Sequence, residues 1–456
     1  MKERKTNTVS IVILLVSILF YLVLFILDGV QLSADSNSYL NSSYGREPLY
    51  PVILLLFRTI IPTEDYLSVV VFLQCMLAAF SVYHLTMVLK KKFNLDPIST
   101  AGVLFLQFAV VLLCKMVAVR KATYCNEICS EGIAIPLFTL FLTELIVFAW
   151  YSQYKSILLC MIYGALLVST RKQMYIVFVI MAGVYGILWL CRRIRIQKLL
   201  IATASVVCAA FLAIGMDVVY NLGIRGEAMR HTTDSSALVI MTIYSSSKED
   251  ADAFENEDMK ELFLSIMEEV EENKYNYPYA SGNFLSRYDH YASHYDKIAF
   301  GVVNPHFYEY LDTHFSLTEN ERARKFDEIN SVFLKTLLPE RWGQILAVAG
   351  SNMLVGFCNT FAKAQPLLAI YSFLFLLGYI LLFLYCLRQK KEDLCLMAFT
   401  CMAAVFVNVI VVGLMIFAQT RYMIYNMPFV YIAMFLMVRE IFLNILTKRR
   451  QKKETA

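Results

Sequence analysis

A short stretch near the N-terminus concentrates residue types that do chemistry: Ser33-Ala-Asp35-Ser-Asn-Ser-Tyr39-Leu, then Gly45-Arg46-Glu47-Pro-Leu-Tyr50-Pro51. Asp35 is a carboxylate able to take a proton from an attacking hydroxyl or amine, and is the candidate catalytic base. Pro48 and Pro51 stiffen the turn that follows. Glu47 lies between Arg46 and Pro48, where a salt bridge to Arg46 is expected to fix that turn. Tyr39, Arg46, Glu47 and Tyr50 are candidates for positioning a substrate.

A second group is basic: Lys115, Arg120 and Lys121, then Arg171 and Lys172, then Arg421. A guanidinium fork binds phosphate oxygens bidentately, so Arg171 and Arg421 lead the candidates for a phosphate clamp, with Arg120 and Lys121 behind them. The same side chains would serve as lipid-headgroup anchors or as partners of Glu127 and Glu131. Those two glutamates, four apart, are expected on one helical face, holding a sugar hydroxyl or a cation. The 11 cysteines lie almost entirely in apolar blocks and imply neither a disulfide framework nor a zinc site. Cys125 and Cys129 read as structural; no cofactor and no metal-ligand set is predicted, and use of a divalent metal is left open.

The elements that carry these residues follow from composition. Of 456 residues, 58% are hydrophobic and 17% charged, which excludes a soluble globular protein. The apolar residues form blocks of the length that crosses a bilayer as helix. Ten spans fit: 9–27, 66–89, 98–118, 130–149, 156–170, 173–191, 199–219, 366–387, 394–418 and 424–445. The expected fold is an all-α polytopic membrane protein of about ten transmembrane helices with a mainly helical insertion.

Charge orients it. Lys2/Arg4/Lys5, Lys90 to Lys92, Arg192/Arg193/Arg195 and the tail from Lys448 share one side, the cytoplasmic one by the positive-inside rule, with both termini. The segment 221–340 holds 22 acidic against 11 basic residues, whereas the rest of the chain holds 15 against 30. It is predicted as an acidic extracytoplasmic domain with no affinity for nucleic acid. Within it, Phe254, Met259, Leu262, Phe263, Ile266, Met267 and Val270 recur at helical spacing, and Thr318 to Glu321 reads as a capping box. The expected organisation is a membrane module over 1–220, this domain over 221–340, an interfacial or re-entrant segment over 341–365, and helices with a basic tail over 366–456. Arg120, Lys121, Arg171, Lys172 and Arg421 break the charge rule, and an anion held on the extracytoplasmic face would account for them.

At three places the chain resembles the GT-C superfamily of membrane glycosyltransferases, particularly bacterial relatives of protein-O-mannosyltransferases and lipid A aminoarabinose transferases. These are the Asp35 loop with its Arg46-Glu-Pro-Leu-Tyr-Pro51 turn, the Gly164-to-Arg171 segment ending in Thr-Arg, and Gln419-Thr-Arg421-Tyr422 with Pro428. The resemblance implies inverting transfer of a sugar from a polyprenyl-phosphate donor to a lipid or glycan acceptor on the extracytoplasmic face of the cell membrane. Asp35 would then be the base and Arg171 and Arg421 the clamp. Many members carry adjacent acidic residues in the first loop, whereas Ser36 follows Asp35 here. A lipid-linked oligosaccharide polymerase or ligase would use the same external arginines. A lipid or polysaccharide transporter usually shows related halves and midplane charge, neither of which this sequence displays, and a scaffold would leave Asp35 and Arg421 without purpose.

Overall fold

The computed structural model describes residues 2–117, 122–233 and 235–454. An unbroken apolar run makes α1 (Lys2–Asp28), which stops where Gly29 turns into the left-handed region at φ +59°. The first loop contains the short α2 (Ser36–Leu40) and leads into α3 (Leu49–Ile60), whose first turn is stiffened by Pro48 and Pro51. Then follow α4 (Tyr66–Phe93), α5 (Pro97–Val117), α6 (Glu131–Tyr151), α7 (Tyr154–Val168), α8 (Ile176–Leu190) and α9 (Ile196–Arg225). Helix α6 is apolar on every side and buried along nearly its whole length, packed against α4 and α7. Helices of that kind occupy interiors.

The insertion folds as α10 (Ser236–Tyr244), α11 (Glu257–Glu272), α12 (Phe284–Asp296), α13 (Asn304–His314) and the first half of α14 (Glu319–Phe361). The apolar stripe read from Phe254 to Val270 is buried, and it meets Phe307, Phe326 and Phe333 in a separate core. Thr318 and Glu321 form the expected capping box at the start of α14. That helix runs for 43 residues, about 64 Å at 1.5 Å per residue. Its first half completes the insertion core, while Phe357 and Phe361 near its end join the main core. The boundary expected between 340 and 341 therefore falls inside one continuous helix, which Ile345 to Phe361 complete.

The chain returns through α15 (Pro366–Arg388), α16 (Glu392–Met415), the single turn α17 (Thr420–Met423) and α18 (Met427–Glu454). Among the described residues the fold is all-helical, with an isolated bridge between Gln31 and Glu127. Eight helices are long and apolar enough to cross a membrane, the architecture a polytopic membrane protein requires. They match eight of the ten expected spans. The other two coincide with the shorter apolar stretches Pro97–Leu113 and Tyr154–Val168.

Candidate functional site

The Asp35 loop is fastened to the segment that precedes α6. Gln31 N donates to Asn126 O at 2.9 Å and Ile128 N donates to Gln31 O at 2.9 Å, while Ser36 Oγ donates to Ile128 O at 2.7 Å. Tyr39 OH meets Ser130 Oγ at 2.8 Å, and Tyr50 OH donates to Gln74 Oε1 at 2.8 Å. Gln74, buried in α4, in turn donates to the carbonyls of Cys125 and Glu127 at 2.9 and 3.1 Å. Gly132 makes room for it, since a Cβ there would lie 2.5 Å from Gln74 Nε2. These buried hydrogen bonds hold the loop in one shape.

Held in this way, Asp35 spans two arginines. Its Oδ1 accepts from Arg46 Nη2 at 2.7 Å and its Oδ2 from Arg421 Nη1 at 2.8 Å. Arg46 is itself fixed, with Nε donating to Ser38 Oγ at 2.8 Å, Nη1 to Tyr39 OH at 3.1 Å and its guanidinium 4.3 Å above the Tyr39 ring. Arg421 Nη2 donates to Tyr422 OH at 2.9 Å. Burial pushes the Asp35 carboxyl up, but the Arg46 and Arg421 guanidiniums outweigh it and hold it down at about 2.

A second pair lies beside the first. Arg171 forms an ion pair with Glu131, whose side chain is only 2% exposed, and its guanidinium sits 5.5 Å from the centre of the Tyr422 ring. Asp35, Tyr39, Arg46, Glu131, Arg171 and Arg421 therefore converge from the first loop, the start of α6, the turn after α7 and the single turn α17.

Two expectations about this cluster are corrected. Arg46 pairs with Asp35 rather than Glu47, because Ser38 and Tyr39 of the same loop hold its guanidinium on the Asp35 side. Glu47 is 3% exposed, yet its side chain makes no hydrogen bond or ion pair with any described residue. Glu127 and Glu131 do not share a helical face: Glu127 lies in the extended bridge to Gln31, and α6 starts only at Glu131. Arg120 and Lys121 lie outside the described residues, and Lys115 pairs with Asp28 at 2.5 Å instead of facing the cluster. The other acidic groups near helix ends are similarly committed, Glu144 to His84 at 3.0 Å and Asp217 to His231 at 2.7 Å. Among the described residues no three His, Cys, Asp or Glu side chains gather as a metal ion needs.

Around the cluster lies a cavity of about 540 Å³. Tyr39, Arg46, Glu47, Arg171, Lys172, Gln173 and Tyr422 form its polar wall, and Val411 and Met415 of α16 with Ile416 just past its end the apolar one. The insertion closes it with Thr233 and Ala237, the loop before α10 being drawn down where Lys172 Nζ donates to Thr232 O at 2.9 Å and Thr232 N to Tyr44 O at 2.9 Å. Pro48 and Leu49, next in the chain after Glu47, begin an apolar groove of about 830 Å³ that continues along α3, α7 and α9. Sequence reasoning missed Gln74 and the unpaired state of Glu47. The first had a signal, a lone amide amid the apolar residues of α4; the second had none. Neither models of known protein families nor curated proteins give a match to this chain.

Proposed function

We propose that this protein is an inverting glycosyltransferase that moves a sugar from a polyprenyl-phosphate donor to an acceptor on the extracytoplasmic face of the membrane. The observation that carries the reading is the Asp35 carboxylate clasped by Arg46 and Arg421, with Arg46 and Arg171 lining a cavity and an apolar groove beginning at Pro48, next in the chain after the cavity's Glu47. A lipid-linked sugar phosphate needs those three things: cations for its phosphate, a polar space for its sugar and an apolar track for its chain. The resemblance of the Asp35 loop and the Arg421-Tyr422 segment to GT-C enzymes points the same way.

In this reading the acceptor hydroxyl or amine attacks the anomeric carbon from the face opposite the phosphate. The carbon–oxygen bond to the phosphate breaks, its electron pair leaves with the lipid phosphate, and the acceptor proton passes to Asp35. Arg421 and Arg171 offset the charge that builds on the departing phosphate. Clasped by two guanidiniums, Asp35 is a weak base. A donor phosphate that recruits Arg421 loosens the clasp and lets the carboxyl rise toward its ordinary range, so basicity appears when the donor is in place. Glu47, with no partner of its own, receives a hydroxyl of the donor sugar. In the same reading, ten spans with both termini in the cytoplasm, the arrangement expected from the loop charges, set the site on the side where lipid-linked sugars are spent.

The test is the purified full chain in lipid vesicles with polyprenyl-phosphate glucose, mannose or galactose as donor and released polyprenyl phosphate as the readout. Release that depends on Asp35 is expected. Parent-rate release by an Asp35→Asn, Glu47→Gln double variant would remove the main support for the reading.

A further inference from the structure

A second cavity, of about 300 Å³, borders Arg421. It is at the small end of ligand cavities, the size of a single sugar unit with its substituents. Asp35 links the two spaces: its Oδ1 holds Arg46, which lines the larger one, and its Oδ2 holds Arg421, which lines the smaller. Two substrates that must meet at one carboxylate require such an arrangement.

The walls of the smaller cavity come from distant parts of the chain. Tyr288 and Asp289 project from α12 of the insertion, Lys363 follows the end of α14, and Arg421 precedes the last membrane helix. The side chains of Lys363 and Asp289 make no hydrogen bond or ion pair with any described residue, nor with each other. Opposite charges that border one cavity without joining leave room for a ligand that joins both. Arg421 adds a third unspent group, since its buried Nε has no hydrogen-bond partner. The half-buried ring of Tyr288 offers the flat apolar surface on which a sugar packs.

We propose that this cavity binds the acceptor and that the acceptor is a saccharide unit bearing an anionic group, a carboxylate or a phosphate. Lys363 and the Arg421 Nε–H take the anion, Asp289 takes a hydroxyl, and Tyr288 supports the ring. The identification as acceptor rests on the glycosyl-transfer reading; the preference for an anionic saccharide rests on the free charges alone. A neutral sugar satisfies Asp289 and Tyr288 but leaves Lys363 and the Arg421 Nε unmatched, whereas an anionic one matches all four. The insertion then has a function: α12 supplies half of the acceptor site, and it is anchored there by packing of Tyr291 and Tyr295 on Phe417, just ahead of Arg421.

Ligand-observed saturation-transfer NMR on the full chain in nanodiscs tests this with three probes: methyl glucoside, methyl glucuronide and methyl glucoside 6-phosphate. Either charged probe should bind roughly tenfold or more tightly than the neutral one, the range of a hydrogen bond to a charged group. Which one wins identifies the anion as carboxylate or phosphate. Lys363→Gln should abolish the preference, and Lys335→Gln, on the exposed surface of α14, should keep it. Equal binding of the three probes, no binding of any, or a preference untouched by Lys363→Gln overturns the proposal. The transferase reading fails separately. Selective binding with no sugar transfer from any donor would leave an anionic-saccharide site without the enzyme. Transfer whose acceptor KM ignores Lys363→Gln would leave the enzyme without this site.

Discussion

Arg421 reaches across 386 residues of sequence to donate from Nη1 to Asp35 Oδ2 at 2.8 Å. That contact ties the turn before the last membrane helix to the first loop, and it makes the state of one the business of the other. Whatever binds Arg421 changes the charge that Asp35 feels.

A pH profile exposes the coupling. Asp35 is held at about 2 because two cations favour its ionised form, with Arg46 the stronger. Removing a cation raises the carboxyl, so protonation sets in at higher pH and the acid limb of kcat/KM moves upward. Arg46→Gln should move that limb by about one pH unit, and Arg421→Gln by less. A limb that stays in place in both variants, followed with a lipid-linked sugar donor, would show that the limb belongs to another group.

Asp35 and Glu47 should separate cleanly. Asp35→Asn keeps size and most hydrogen bonds, so donor affinity persists while turnover falls about 10²- to 10⁴-fold, the range of general-base contributions. Glu47→Gln should do the reverse, weakening donor binding. Its effect on the fold should be neutral or favourable, because a buried carboxylate with no partner is costly and an amide is less so. Thermal unfolding together with a KM-against-kcat comparison decides. A large loss of stability in Glu47→Gln would restore the turn-fixing role that its sequence neighbours suggest.

What the sequence disclosed was local and periodic. The α11 stripe and the Thr318–Glu321 capping box repeat a pattern within one helix, so burial and capping follow from spacing alone. The Asp35 loop stood out because its polar residues abut an apolar block. Partners across the chain were another matter. The spacing of Glu127 and Glu131 implies a shared face only if a helix joins them, and the backbone of 126–128 is instead committed to Gln31. Arg46 has carboxylates both at the adjacent position and 11 residues away, and only the folded loop shows that the distant one takes it. The continuity of α14 was hidden for a related reason: loop charges constrain which side a segment lies on, not where a helix ends.

Topology has a direct test. Ser281 is exposed on the insertion, between Ala280 and the left-handed Gly282. In intact cells a membrane-impermeant maleimide should label Ser281→Cys from outside and leave Thr455→Cys unlabelled. Outside labelling of position 455 would make the number of crossings odd.

Gly132 should be intolerant of any side chain. A Cβ would lie 2.5 Å from Gln74 Nε2 and 2.6 Å from its Cδ, so Gln74 must leave the carbonyls of Cys125 and Glu127. Losing buried hydrogen bonds should cost Gly132→Ala about 2 to 4 kcal/mol. Gln74→Ala removes the obstructing atoms, so the double variant should be little less stable than Gln74→Ala alone. Additive losses in a double-mutant cycle would show that Gly132 is needed for another reason.

The Glu131–Arg171 pair yields the sharpest stability test, because both charges are buried. Their side chains are 2% and 12% exposed, so truncating one strands the other in a place with little water. Breaking a buried pair typically costs about 3 to 5 kcal/mol, whereas replacing both partners by apolar groups is often nearly neutral. Glu131→Gln and Arg171→Met should therefore each lower the unfolding midpoint strongly, and the double variant should regain most of the loss. The phosphate clamp adds a second signature. If Arg171 serves the donor as well as Glu131, the double variant recovers its stability and still binds polyprenyl phosphate weakly; Arg171→Lys recovers affinity only in part, since it keeps the charge but loses the fork. Full donor affinity in the double variant would make Arg171 a partner of Glu131 alone and leave Arg421 as the clamp.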